Sequence, residues 1–402
     1  MDMKDLFSDS ARQLKSSKIR ELMKMANTPG IISMAGGMPD SESFPFEEIK
    51  AIINSWPYAR AKTALQYGTT KGYIPLLQKI AQWMERKKNI SMKNQEVIIT
   101  TGSQQALSLI SKIFLDPDDV VLVEIPSFIG AIASFYSFMG AVVGVSMDEE
   151  GIVPDDLVKK IEASRKSGKA VKLIYTIPNF NNPSGITLSP SRRKKLLEIS
   201  YHYEIPLVED DPYGELFYEG TAEDYAPIKS QDKRGTVFYL GTFSKVLSPG
   251  IRVGWIVGDR EIVAKLELQK QSFDACTSTL SQLIAHDYLK NGYITQYTEK
   301  MKSVYRNRRD ATLNALKAHM PEGVHWTRPN GGLFVWVTIP EHLDAEYVFK
   351  EAVKEKVAFV TGDAFLPEGY KNNYIRLAFS DLSLERIEEG IAVLAGVLRR
   401  MI

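Results

Sequence analysis

"EVIITTGSQQALSLISKIFLDPDDVVLVEIPS", residues 96–127, decides the fold. It opens on a run of apolar and β-branched residues, "EVIITT", that reads as a strand. Gly102 ends that run, and "SQQALSLISKIFL" then sets Ala106, Leu107, Ile110, Ile113 and Phe114 at helical spacing. "DVVLVEIPS" returns to a nearly unbroken apolar run, the mark of a strand covered on both faces. Strand, helix, strand in close succession is the unit of a parallel sheet.

The same alternation continues to about residue 260. A helical "FIGAIASFYSFMG" is followed by the strand "AVKLIYTIPN" and the turn-rich "NNPSG". "SPSRRKKLLEISYHY" then reads as a helix with Ser189 as N-cap before Pro190, and "EIPLVEDD" and "GTVFYLGTFS" are two further strands. The predicted class is α/β, with a mainly parallel (mixed) central sheet flanked by helices on both faces. The end of the chain reads differently. A long helical run, "TQYTEKMKSVYRNRRDATLNALKAHM", leads to paired strands across "RPNGG" and a helical "DAEYVFKEAVKEK". "NNYIRLAFS" and a last helix from about Ser383 complete this smaller α+β part. The expected division is a large domain at 45–295 and a small one made of 1–44 and 296–402. The helix-like "SARQLKSSKIRELMKMA" near the N-terminus is assigned to the small one.

Composition narrows the function. Fifty basic and 49 acidic residues leave a formal charge of +1, which gives no general electrostatic footprint for nucleic acid or a membrane surface. The single cysteine, Cys276, rules out an intrachain disulfide and a cysteine metal cluster, and suits a reducing, cytoplasmic setting. The five histidines show no metal-ligand spacing, so no metal site is expected. The charged start lacks the apolar core of a signal peptide, and no run approaches the roughly 18 apolar residues of a membrane span.

Ligands of open α/β sheets sit beyond the carboxyl ends of the strands. There the sequence collects a particular set. Gly102, Ser103 and Gln104 open a helix, whose free N–H groups make either a plain capped start or an anion site. Asn182 sits in "NNPSG", which by itself is only a turn. Asp210 and Tyr213 follow the next strand. Then comes "YLGTFSKVLSPGIRVGW", residues 239–255, with Lys245 between the hydroxyls of Thr242, Ser244 and Ser248, and Arg252 one short loop later. Lys245 marks either a tight surface turn or a covalent catalytic amine.

A phosphorylated cofactor with an aldehyde and a basic ring nitrogen uses every member of this set. The lysine condenses with the aldehyde. The helix start, hydroxyls and Arg252 hold the phosphate. The buried aspartate keeps the ring nitrogen protonated, and the amide and phenol bond the ring's phenolic oxygen. Such a cofactor is pyridoxal 5′-phosphate (PLP).

From about Ser17 onward the sequence resembles the class I/II aminotransferases of PLP fold type I, near the 2-aminoadipate, kynurenine and aromatic aminotransferase branch. "GGMPDSESFP", "LQYGTTKGYIPL", "TTGSQQAL", "EIPSFIGAI", "NNPSG", "VEDDPYGEL", "GTFSKVLSPGIRVGW" and "RPNGGLFVWV" carry the resemblance in family order. It implies that Lys245 is the Schiff-base lysine and Asp210 the partner of the pyridine nitrogen, with Asn182 and Tyr213 on the phenolic oxygen. Ser103, Gln104, Thr242, Ser244 and Arg252 then take the phosphate, and Phe128 stacks on the ring. Tyr67 reaches the phosphate of the neighbouring subunit in a homodimer. Arg376, in "NYIRLAF", matches the arginine that pairs with the substrate α-carboxylate. Gly37 and Asn182 line the substrate, and the N-terminal segment with Ser17 and Arg20 covers its side chain. Phe128 and Ser184 stand where tyrosine and threonine are common in the family, and Thr242 where serine is. The implied reaction passes an amino group from a 2-aminoadipate, aromatic, branched-chain or kynurenine-type donor to 2-oxoglutarate by ping-pong kinetics. Its partners are then amino and 2-oxo acids, with no nucleic acid and no membrane. A β-lyase or decarboxylase on the same fold shares the cofactor residues and differs in products. A non-catalytic regulator would carry a basic winged-helix segment ahead of the match. A nicotinamide enzyme would carry GxGxxG after a strand, and none is present.

Overall fold

The computed structural model describes residues 3–13, 28–366 and 370–402. The strands, in chain order, are β1 (Ile32–Ser33), β2 (Gln95–Thr100), β3 (Val120–Ile125), β4 (Ala141–Asp148), β5 (Gly151–Ile152), β6 (Val171–Thr176) and β7 (Leu207–Asp210). They continue with β8 (Val237–Thr242), β9 (Gly254–Asp259), β10 (His325–Trp326), β11 (Phe334–Thr338), β12 (Val357–Ala358), β13 (Val360–Thr361) and β14 (Tyr374–Ala378).

Eight of these form one sheet in the order β2-β9-β8-β7-β6-β3-β4-β5. Neighbours run parallel except where β9 lies antiparallel to both β2 and β8, and where the two-residue β5 folds back on β4. This is the mixed, mainly parallel sheet expected. Both faces are covered because apolar residues on the central strands point to either side of the sheet. Val120 and Leu122 of β3 pack with Leu157, Ile161, Leu196 and Leu197 from helices Pro154–Lys166 and Pro190–Tyr203. Val121 and Val123 pack on the other side with Leu107, Ile110, Ala131 and Phe135 from helices Ser103–Phe114 and Ile129–Ser137. Each fully buried side chain of this size contributes about 1.5–3 kcal/mol, so a polar residue in such a strand needs a partner to be tolerated.

Helix starts follow their caps. Ser189 Oγ accepts from the Arg192 N–H with Pro190 in the first turn, and Ser383 Oγ accepts likewise from Arg386. The strands β4 and β9 and the helices Phe46–Asn54, Ile74–Lys88 and Pro154–Lys166 carry weaker signals and were not among the expected elements. In β4 the three leading residues are only half-buried and Gly144 interrupts the run.

The smaller sheet has the order β10-β11-β14-β13, all antiparallel. The expected pairing across "RPNGG" is there, with His325 opposite Thr338 and Trp326 opposite Val337. Helix Tyr293–His319 packs on Leu384–Arg399, and β1 pairs in parallel with β12, tying residues 32–33 to this smaller part. The short helix Asp9–Gln13 lies instead against Ile129–Ser137 of the large sheet's covering layer. Most of the expected N-terminal helix, including Ser17 and Arg20, lies outside the described residues. Among the described residues no helix is long and apolar enough to cross a membrane.

Candidate active site

Six neighbouring strands deliver the site to one edge of the large sheet. Gly102–Ser103 follow β2, Arg252 precedes β9, and Thr242, Ser244 and Lys245 close or follow β8. Asp210 ends β7, Asn182 follows β6, and Phe128 follows β3. β9 serves this edge with its start rather than its end because, of the six, it runs against its neighbours, and Thr242 sits opposite Gly254 in the register.

Lys245 Nζ donates to the Gly37 carbonyl at 2.7 Å and lies 5.8 Å from the centre of the Tyr213 ring. Burial, then the charges of Arg376 and Arg252, lower its pKa to about 8. The amine therefore gives up its proton much closer to neutral pH than an ordinary lysine does. Gly37 has no room for a side chain: a Cβ there would fall 2.6 Å from Phe334 Cζ.

Asp210 is fully enclosed. Its Oδ2 accepts from the Tyr175 hydroxyl at 2.9 Å, while Oδ1 is buried with no hydrogen-bond partner. Burial raises its pKa to about 7, opposed by the Tyr175 hydrogen bond and reinforced by the charge of Asp211. Tyr213 is buried, and burial pushes its phenol well above the ordinary value. Asn182 Oδ1 accepts from Arg376 Nη1 at 2.9 Å.

Arg376 lies on β14 in the middle of the smaller sheet, opposite Trp336 and Val360. Its guanidinium lies 4.4 Å from the centre of the Phe334 ring and 4.9 Å from that of Phe365, and Nη2 donates to the Ala35 carbonyl at 2.6 Å. Nε is buried without a partner. Burial lowers its pKa to about 10, so it stays cationic at neutral pH.

The helix beginning at Ser103 has Gly102 as N-cap at φ 76°, a conformation that favours glycine. A Cβ on Gly102 would fall 2.3 Å from Arg252 Nη2. The guanidinium therefore lies directly over the helix start and its free N–H groups. Thr242 Oγ1 donates to Ser244 Oγ at 2.9 Å and accepts from the Ser244 N–H at 3.1 Å, fixing both hydroxyls together. Gln104 differs from the simplest expectation. Its amide donates to the Gly130 carbonyl (2.8 Å) and Ser134 Oγ (2.7 Å), so its backbone N–H is what the helix start offers. Phe128, half-buried, caps helix Ile129–Ser137. Tyr67 stands apart, 86% exposed.

A cation over a helix start, a covalent-capable amine and a carboxylate with one unused oxygen form the donor set of a PLP site. The comparisons with known proteins agree. The family model "Aminotransferase class I and II" matches residues 30–394. The chain belongs to the class I and II aminotransferases. It is 44% identical to aromatic-amino-acid aminotransferase 1 of Thermococcus litoralis, over 99% of this chain and 95% of the relative. It is 39% identical to 2-aminoadipate transaminase of Thermus thermophilus, over 99% and 98%. Among solved structures, kynurenine aminotransferase of Pyrococcus horikoshii superposes with a TM-score of 0.96 at 42% identity, covering all of this chain and 98% of that one. Aminotransferases of these classes use PLP, and the residues present fit it: Asp210 Oδ1 lacks only a donor, and the Gly102–Arg252 cradle lacks only an anion.

Two groups of residues here were not foreseen. Tyr175 is a phenol within an apolar strand, a pattern that signals a buried acceptor without naming it. Phe334 and Phe365, whose rings pack against the Arg376 guanidinium, come from segments read only as strand or loop.

Proposed function

We propose that this aminotransferase moves the amino group of an aromatic, 2-aminoadipate, branched-chain or kynurenine-type amino acid to 2-oxoglutarate. The reading is carried by one observation: Lys245, with its pKa near 8, stands at the same sheet edge as a buried carboxylate that has a vacant oxygen. When bound, PLP supplies an aldehyde for the amine and a ring that accepts the electron pair released at the substrate Cα. In this assignment Lys245 would hold the cofactor through its amine and, as a free amine, would take the Cα proton on Nζ. Asp210 Oδ1 accepts the ring N–H. Asn182 and Tyr213 orient the ring's oxygen, and Phe128 covers its face. Ser103, the Gln104 backbone, Thr242, Ser244 and Arg252 hold the phosphate. Arg376 takes the α-carboxylate, for which its unpartnered Nε is available. Gly37 shapes the substrate side of the pocket, while the covering role expected of Ser17 and Arg20 falls outside the described residues.

The names of the relatives support the aromatic, 2-aminoadipate and kynurenine-type donors. A homodimer belongs to the same proposal, supported by exposed Tyr58, Leu65 and Tyr67 on one segment of the large part, with Tyr67 serving the partner's phosphate. The single cysteine supports a cytoplasmic setting. A panel of amino donors with and without 2-oxoglutarate tests the reading. Glutamate is expected with aromatic amino acids and 2-aminoadipate, and only when acceptor is present. Release of ammonia or carbon dioxide without acceptor would instead mark a lyase or a decarboxylase.

A further inference from the structure

The Asp210 carboxylate has one hydrogen-bond donor among the described residues, and that donor is Tyr175. The register explains the contact. Tyr175 on β6 lies opposite Val208 on β7, and Asp210 is two residues further along β7 on the same face. An aromatic side chain reaches such a diagonal neighbour easily. The ring is fully buried and held edge-on by Phe135, with centroids 5.6 Å apart and planes at 72°. Among the described residues its hydroxyl donates to no other acceptor, and burial drives its pKa well above the ordinary value, so it remains a donor. The neighbouring carboxylate is served separately: Asp211 accepts from Asn179 Nδ2 and from the Tyr239 hydroxyl, each at 2.9 Å.

We propose that Tyr175 is a positioning residue for the cofactor. By donating to Oδ2 it holds the Asp210 carboxylate ionised with Oδ1 free for the ring nitrogen, so the proton shared by that pair resides on the ring. The physical reason is a choice between two neutral-overall arrangements, carboxylate with pyridinium or carboxylic acid with pyridine. In a buried site with little other solvation, a donor on the carboxylate favours the first. Removing it favours the second, and the ring then withdraws electrons less strongly.

The inference rests on PLP binding as proposed above, and its test separates the two. Wild type, Tyr175→Phe and Tyr239→Phe are loaded with PLP labelled with 15N in the ring, and the nitrogen resonance is recorded. Wild type is expected at the pyridinium position. Tyr175→Phe should move downfield toward neutral pyridine, with about a tenfold rise in the PLP dissociation constant. Tyr239→Phe loses an equally buried phenol–carboxylate bond one residue away and should leave the resonance in place. That contrast excludes general loosening. Should the phenylalanine variant not fold, Tyr175→Met removes the same donor with a more adaptable side chain. A pyridinium resonance unchanged on loss of the Tyr175 hydroxyl overturns the inference while leaving the cofactor assignment intact. Failure of wild type to take up PLP would overturn the functional reading itself.

Discussion

Two of the carboxylates buried at the sheet edge, Glu124 and Asp210, are finished differently. Glu124, on β3, accepts from Thr176 Oγ1 at 2.5 Å, from the Ile177 N–H at 3.0 Å and from Asn181 Nδ2 at 2.7 Å. Asp210, on β7, accepts from one donor and keeps an oxygen with none. Burial raises both pKa values to about 7. Desolvation alone therefore does not distinguish them. The number of donors does: Glu124 is saturated by its own chain and holds the loop that carries Asn182, whereas Asp210 is incomplete without a ligand.

The same substitution, acid to amide, should separate the two sites most sharply. Asp210→Asn places an NH2 group or a weaker acceptor against the ring nitrogen, and kcat should fall by about 10²–10³, as for loss of a preorganised charge. Its thermal stability should hold or rise without cofactor, since a buried charge with an empty valence is removed. Steady-state kinetics and calorimetry together check this. A fall in stability with little change in kcat would mean Asp210 is structural.

Glu124→Ala comes next. It orphans the Ile177 and Asn181 donors and opens a void, which should cost about 2–4 kcal/mol in denaturant unfolding. Glu124→Gln should cost less than about 1 kcal/mol, because the Thr176 hydroxyl can reverse and accept from the amide while the remaining oxygen keeps the other two donors. Equal losses for the alanine and glutamine variants would show that the charge, not the donor count, matters at Glu124.

The smallest effect is in pH. Both carboxyls have folded-state values raised above their ordinary 3.8 and 4.5 to about 7. Each raised group stabilises the fold fully below its unfolded value, and this is lost as pH rises through about 7. A cofactor cation beside Asp210 removes that loss for Asp210 alone. The gain in Tm on adding PLP should therefore grow between pH 5 and pH 8. Depression of the Lys245 pKa to about 8 contributes in the same direction, since more free amine is present at the higher pH. The growth should shrink in Asp210→Asn and persist in Glu124→Gln. Identical pH trends in the two variants would contradict the assignment of an unfilled valence to Asp210.

How much of this was legible in the sequence follows from where each signal lies. Ser189 and Ser383 announce their helices within three residues, because a cap is a local bond. Lys245, Asp210 and Asn182 stand at strand ends, and strand ends of a parallel sheet converge whatever the loops do. β9 was missed because it follows the left-handed Arg252 (φ 54°) and runs against its neighbours, a direction that no local pattern encodes. Tyr175 and Glu124 were missed for a related reason. Their partners lie 35 and 52 to 57 residues away, across a register that only the folded sheet defines. Gln104 shows the reverse case: its place at the helix start was readable, but the turn of its amide toward Gly130 and Ser134 was not.

Borohydride reduction of the PLP-loaded protein, followed by proteolysis and mass mapping, tests the central claim most directly. The account predicts a phosphopyridoxyl group on the peptide containing Lys245, in one equivalent per chain. A protein that takes up no PLP, or that carries the adduct on a different lysine, would contradict it.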